Sequence, residues 1–531
     1  ALEQQERAQP SQLPDFTKGE PMPPPPKDGW PTWLFGPTGI IGMKNAGGDK
    51  GDQIRVINVA SGSPADGSVL SGDVLIGVHG KQFELGGSMN RLAGDAIVEA
   101  ETEAGKGYLT LHLWRDRNWL TRTGTKDPFG VDLDKMFAEA EAGSADIYDW
   151  QDEEEKTEAV EQMAFDKYPI DGIFTNITLK LEVMGTYSDD SPWNCPVVKK
   201  VRDNALKIVA ERLKPDVRGR SKRGSGWPDV LALVASGEPE YLAIAKAWVR
   251  RLPTEGRGAL VQDMNVKVPF KNGGMQSWYH GFGPLEMAIY YDATGDDYVL
   301  PQIRYSAVQA ALGQNGGGSW GHTFAHPSFN GGMLHKSNPG YGAMNNAGTR
   351  CFFLLTLAKK AGIEHPEINA AIWRSKKFFS TYIDRGCIPY GYHSPYPSDD
   401  SNGKNYGAAY AFYTLGDNYA AKYFALGSAH ASFTRRGGHG SPTLWYYSPL
   451  SAHIAGPDVV KAYMRNMRYF YALSRRHDGS FVFLGEQSPG IGGKGMRNAT
   501  ATMVMHLSRP LEKLIITGKD ADPQFYATDE E

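Results

Sequence analysis

A chain of 531 residues exceeds what one ordinary core organises and predicts two folded units. The charge is nearly balanced, 56 Lys and Arg against 60 Asp and Glu, which leaves no basic footprint for a phosphate backbone, so no nucleic-acid partner is expected. The longest apolar runs, such as Cys351 to Leu357, fall well short of the roughly 20 residues of a spanning helix, and no membrane span is expected.

In chain order, residues 1–30 are polar and Pro-rich and read as an extended arm. The alternation then changes. Ile54 to Val59 has strand periodicity, Ser61-Gly-Ser-Pro-Ala-Asp66 is a turn, Gly72-Asp-Val-Leu-Ile-Gly-Val78 opens a strand on Gly-Asp, and Tyr108 to Trp114 is a further β-rich run. This order of words resembles the bacterial PDZ pattern. The resemblance implies a loop whose N–H groups meet a peptide carboxylate while the ligand adds to the sheet edge. By similarity that loop is Phe35, Gly36, Gly39, Ile40, Ile41 and Gly42, richer in Gly and Pro than usual. Residues 116–172 read as an insertion, acidic around Asp149 to Glu155 and helical around Leu133 to Ala142. Ile177 to Val183 is the last strand, so a PDZ-like domain of peptide-binding or packing role is expected over 31–185.

From Pro196 onward the spacing is helical. Helices are expected over Val197–Leu213, Asp229–Ala235, Pro239–Arg251, Pro284–Tyr291, Val299–Leu312, Ala343–Ala361, Pro366–Asp384, Tyr406–Leu415, Ala420–Phe433 and Pro457–Leu473. They come as hairpins. Turns containing Gly and an acid recur at Ser236-Gly, Thr294-Gly-Asp, Gly362-Ile-Glu and Leu415-Gly-Asp, an internal repeat of roughly fifty to sixty residues. Gly-rich loops follow several pairs: Gln314 to His322, Gly386 to His393 and Arg476 to Phe481. The words Asp-Gly-Ser-Phe and Gly-Ser-Trp-Gly resemble the repeat motif of terpenoid-cyclase-like α/α toroids, also the architecture of many polysaccharide lyases. The resemblance implies a multidomain chain, its PDZ-like β-rich domain followed by an all-α (α/α)6-type toroid over 186–531. With Val183-Met-Gly-Thr-Tyr-Ser-Asp-Asp190 and Pro196, nearly the whole chain is similar to the secreted bacterial family of domain of unknown function 6288, which brings no activity with it. The chain opens at Ala1 without a charged-then-apolar leader. This suggests a processed, secreted or periplasmic protein.

Abundant Tyr, Trp and Gly suit loops lining a polar, aromatic cleft. Ten of the thirteen His fall between His280 and His477, mostly in the Gly-rich loops. The densest patch holds Trp320, His322, His326, His335, Tyr341, Asn345 and Asn346. A second runs from Tyr390 through Tyr392, His393, Asp399 and Asp400 to Lys404 and Tyr406, and a third contains Arg435, Arg436, His439 and Tyr446. His322 and His326 have the i, i+4 spacing of a metal pair, but Gly321 and Pro327 argue for a loop and no carboxylate lies close in sequence. No metal or other cofactor is expected. Three scattered cysteines cannot build a disulfide framework, although one bridge stays open.

Tyr, His, Asn and Arg are the parts of a uronate lyase. A cation or amide neutralises the carboxylate, a Tyr or His takes the α-proton and a Tyr returns one to the leaving oxygen. On that reading His322, Tyr341, Asn345, His393, Tyr406 and His439 are catalytic. Trp320, His326, His335, Asn346, Tyr392, Asp399, Asp400, Lys404, Arg435, Arg436 and Tyr446 would bind a polysaccharide or oligosaccharide. A glycoside hydrolase needs two facing carboxylates, and Glu286, Asp292, Asp399, Asp400 and Glu486 flank the same loops; Glu286 with Asp399 or Asp400 would be the pair. The other class is a non-catalytic scaffold, with PDZ and toroid as binding platforms.

Overall fold

A computed structural model describes residues 14–20, 32–48, 51–84, 89–118, 170–215, 226–256, 258–266, 270, 274–340, 342–389, 391, 404–430, 449–482 and 499–523. Its contacts divide the chain into two compact units that do not follow chain order. One comprises residues 1–189, 195–204 and 466–499; the other comprises 190–194, 205–465 and 500–531.

The first unit is built on an antiparallel sheet of seven strands. They are β1 (Thr32–Leu34), β2 (Ile40–Gly48), β3 (Gly51–Val59), β4 (Val74–Val78), β5 (Lys81–Gln82), β6 (Tyr108–Asp116) and β7 (Gly172–Lys180), in the spatial order β1-β2-β3-β4-β6-β7 with β5 on β4. Alternation decides the faces: Leu109, Leu111 and Leu113 are fully buried while Tyr108 points out. The Gly-Asp word has a defined job. Buried Asp73 accepts from Leu70 N at 2.9 Å and takes the Nε and Nη2 of Arg115 at 2.7 and 2.6 Å, tying the start of β4 to β6. β7 pairs β6 residue for residue from Tyr108↔Lys180 to Asp116↔Gly172, so the chain returns to the same sheet after the expected insertion. The expected helix at Leu133 to Ala142 lies outside the described residues.

The loop expected to cradle a peptide is enclosed by the chain itself. Phe35 to Thr38 are buried, Phe35 N donates to Ile40 O, and Ala60 N and Ala65 N donate to Gly39 O and Thr38 O. β2 carries β1 on one edge, with Trp33 opposite Gly42, and β3 on the other, so Ile41 to Met43 offer no edge to an added strand. A Cβ on Gly36 would come within 2.6 Å of Ala472 O and 2.8 Å of the Ile97 side chain. Helix α1 (Met89–Ala100) presents small residues to the same segment. Gly94 lies against the backbone of Tyr469, Arg91 donates to Asn466 Oδ1 at 2.8 Å, and Arg475 pairs with buried Glu101. Residues 466–475 therefore pack on α1 and the β1–β2 loop. In the loop expected to capture a peptide at Phe35–Gly42, the N–H groups of Phe35, Thr38 and Ile40 are bonded within the loop and β2 is paired on both edges, which does not favour an added strand there.

The second unit is helical: α2 (Pro196–Leu213, whose first turns count with the sheet unit), α3 (Trp227–Ala235), α4 (Pro239–Val249), α5 (Gln276–Gly281), α6 (Gly283–Thr294), α7 (Leu300–Leu312), α8 (Asn345–Lys360), α9 (Pro366–Ser380), α10 (Asn405–Thr414), α11 (Asn418–His430), α12 (Pro457–Ser474) and α13 (Ala499–Leu507). The last turns of α12 belong to the sheet unit. The repeated turn has a physical basis. Gly237, Gly295, Gly362 and Gly416 sit at φ between 62° and 77°, the left-handed conformation that glycine adopts without strain where a helix stops. A neighbouring acid then starts the next helical segment: Asp296 accepts from Tyr298 N and Asp417 from Ala420 N. Pro within the first two positions opens α4, α6, α7 and α9, where a missing N–H is harmless.

Pairwise contacts fix direction. Phe352 stacks on Phe379 and Phe412 on Phe424, so α8/α9 and α10/α11 are antiparallel hairpins. Arg350 lies over Phe282 and, ten residues on, Lys360 pairs with Asp292, so α6 and α8 run the same way. Tyr406 lies beside Arg350 and Tyr410 stacks on Phe353, so α10 is parallel to both. Gly407 permits the last approach: a Cβ there would stand 2.7–2.8 Å from Thr349. Helix α8 is buried on every side from Asn345 to Ala358. None of the three cysteines takes part in a disulfide, which settles the bridge left open by the sequence.

Candidate functional site

Because α6, α8 and α10 are parallel, their N-termini lie at one end of the unit, together with the loops that precede them. The caps Phe282, Met344 and Lys404 give no side-chain hydrogen bond to any of the three first turns. Three positive helix ends without side-chain caps make this end electropositive.

A chain of ring contacts runs across it. Trp278, on α5, stacks on His322 at 5.8 Å and on Phe282 at 5.2 Å; the Arg350 guanidinium lies 3.6 Å from the Phe282 ring centre and 5.3 Å from that of Tyr406. The loop bearing His322 is pinned to α5, because the Ser277 hydroxyl donates to Gly321 O and His322 O. Cys351 Sγ in turn approaches Ser277 O at 3.6 Å; burial pushes its thiol well up, so it stays protonated and is no nucleophile.

Trp278 Nε1 donates to His322 Nδ1 at 2.8 Å, which fixes the tautomer: the proton of the neutral ring sits on Nε2. Partial burial lowers the pKa of His322, so the ring is neutral at physiological pH and carries an N–H donor. Burial pushes the Tyr406 phenol up to about 12; Arg350 acts in the opposite direction and Glu286 in the same one. Tyr406 is thus held as a phenol, able to give a proton. Glu286, in the first turn of α6, is the one carboxylate of the expected hydrolase set that falls in this neighbourhood among the described residues. Asp292 does not: it takes Lys360 at 2.6 Å and Lys519 at 2.9 Å at the far end of α6.

Arg350 is 1% exposed, and its Nε and Nη2 have no hydrogen-bond partner among the described residues. Sequence reasoning missed it, although an arginine directly before the apolar run Cys351 to Leu357 was a signal.

Several expected site residues hold the scaffold instead. Trp320 is fully buried, with Nε1 on Ala310 O at 2.7 Å, and offers no ring face to a sugar. Asn345 donates to Pro389 O and Gly391 O and accepts from Ser319 Oγ, which fastens two Gly-rich loops to α8. His326 caps a short 3-10 turn through Ser328 N, and its Nε2 meets Phe270 O. His335 is tied by Nδ1 to Gln314 O and by Nε2 to Glu367, with Arg374 at 3.4 Å. Asn346 and Lys404 are buried at the same helix ends. Tyr341, Tyr392, His393, Asp399, Asp400, Arg435, Arg436, His439 and Tyr446 lie outside the described residues, as does Glu486. Among the described residues no group of three or more His, Cys, Asp or Glu could hold a metal ion, and no helix is long and apolar enough to cross a membrane.

No curated protein matches this chain. Residues 199–518, which include every helix of this site, match the model of the family described as domain of unknown function (DUF6288), and the chain belongs to that family.

Proposed function

We propose that the protein is a secreted or periplasmic carbohydrate-active enzyme, a polysaccharide lyase working by β-elimination ahead of a hydrolase, with its reaction at the N-terminal ends of α6, α8 and α10. The observation that carries this reading is the convergence there of a neutral His322, a protonated Tyr406 and aromatic rings in one contact chain. Parallel first helices with antiparallel partners are the arrangement expected of an α/α toroid, and the sheet unit is read as a PDZ-like packing module. In the lyase reading His322 Nε2–H steadies charge developing on the sugar carboxylate, Tyr341 takes the α-proton and Tyr406 protonates the leaving oxygen. In the hydrolase reading Glu286 works with Asp399 or Asp400.

The test is a panel of uronate-containing and neutral polysaccharides, monitored by absorbance of a new double bond and by reducing ends. New absorbance supports elimination, and reducing ends without it support hydrolysis. Silence in both, with no glycan raising thermal stability, sinks the enzyme and favours a scaffold. His322→Ala and Tyr406→Phe should each cut turnover by about 100-fold or more, the usual effect of losing a positioned acid or donor, while both chains stay folded. Full activity in both refutes the site.

A further inference from the structure

We infer that Arg350 is the receptor for a carboxylate, and that the ligand of this site is therefore an acidic sugar bearing a free carboxylate. The inference rests on the site proposed above, but its observations are separate.

The two Arg350 atoms without partners, Nε and Nη2, form the side-on edge of the guanidinium. The same edge of Arg115 grips Asp73, Nε to Oδ1 at 2.7 Å and Nη2 to Oδ2 at 2.6 Å. The molecule thus contains both a filled and an empty copy of one fork. Two parallel donors match the two oxygens of a planar carboxylate, which a hydroxyl or an amide cannot reproduce. A buried guanidinium without a counter-charge is destabilising. The Phe282 and Tyr406 faces offset part of that penalty by cation–π attraction. At the other end of α6 the unit pairs Asp292 with both Lys360 and Lys519, whereas the Arg350 fork meets no acceptor among the described residues. Three helix N-termini without side-chain caps add positive potential at this end. Glu286 acts on Tyr406 by charge, yet Nε and Nη2 of Arg350 meet no acceptor among the described residues.

Titration calorimetry on the full chain, with galacturonate and glucuronate disaccharides, their neutral counterparts and inorganic sulfate, tests this. Uronates should bind and raise the melting temperature; neutral disaccharides should not. Arg350→Met should weaken uronate binding by about 100-fold, the loss of a charge-assisted pair of bonds. Arg350→Lys should weaken it by about tenfold, because a point charge replaces a fork. Arg350→Met should also melt no lower than the parent, since a buried charge is replaced by an apolar chain of similar length. If that variant does not fold, Arg350→Gln and the uronate-induced stabilisation of the parent chain carry the test. Equal uronate affinity in a folded variant, equal affinity of neutral disaccharides, or tighter binding of sulfate than of uronate overturns the inference. Uronate binding lost in the variant without cleavage of any glycan removes the enzyme and keeps the receptor. Cleavage of a neutral glycan without uronate binding does the reverse.

Discussion

Two arginines in two regions of this molecule meet the same physical problem differently. In the sheet unit Arg115 commits its fork to Asp73, which in turn receives Leu70 N, and the group serves the fold by joining two strands. In the helical unit Arg350 is more deeply buried and leaves the same fork empty between two rings. The Arg115 fork is closed within the chain, whereas the Arg350 fork meets no acceptor among the described residues and is the one proposed to receive a ligand.

Each fork can be probed by a substitution of its own. The largest expected effect is on the filled one: Asp73→Ala strands Arg115 and one backbone N–H, and should cost about 3 kcal/mol in denaturant melts, less than a wholly buried pair because Arg115 reaches solvent. A loss below about 1 kcal/mol would mean that the filled fork is as dispensable as the empty one. Next comes the spacing that places Tyr406 beside Arg350. Alanine in a helix normally helps, yet Gly407→Ala collides with Thr349 and should cost about 1–3 kcal/mol, with weaker uronate binding. Stability gained with binding unchanged would show that α8 and α10 approach less closely.

The smallest effect concerns an enclosed base that is neutral. His453 donates through Nδ1 to Leu450 O at 2.9 Å, and its Nε2 is buried without a hydrogen-bond partner among the described residues; burial, with Arg509 adding to it, lowers its pKa to about 4. The folded value lies below the unfolded value near 6.5, so the unfolded chain binds the proton first. The stability this neutral ring retains is complete above about pH 7 and falls as pH drops from 6.5 towards 4, by up to about 2 kcal/mol at pH 5. His453→Gln should flatten that slope in melts from pH 7.5 to 5 and leave uronate binding untouched; an unchanged slope assigns the acid sensitivity elsewhere.

Most helix positions were legible. Ala343–Ala361 was expected and α8 is Asn345–Lys360; Tyr406–Leu415 was expected and α10 is Asn405–Thr414. In the helical unit two described helices escaped. α5 has only six residues, and α13 is rich in Thr and buried nearly all round, so it carries no two-faced period to read. The site was legible only as a neighbourhood. Loop histidines pointed to the helix ends now proposed as the site, yet His326 and His335 are bonded as cross-braces and Asn345 as a clamp, because what a polar group does depends on whether its atoms are already bonded.

The two-part organisation, and the glycine-and-acid turns that end one helix and start the next, are written in the sequence. They depend on local conformation and periodicity, which neighbouring residues encode. Tertiary packing alone decides that the β1–β2 loop is enclosed by residues 466–475, that three helices start at one end, and that the Arg350 fork stays empty. Those facts depend on groups tens to hundreds of residues apart in sequence, and burial and pairing are properties of the packed whole.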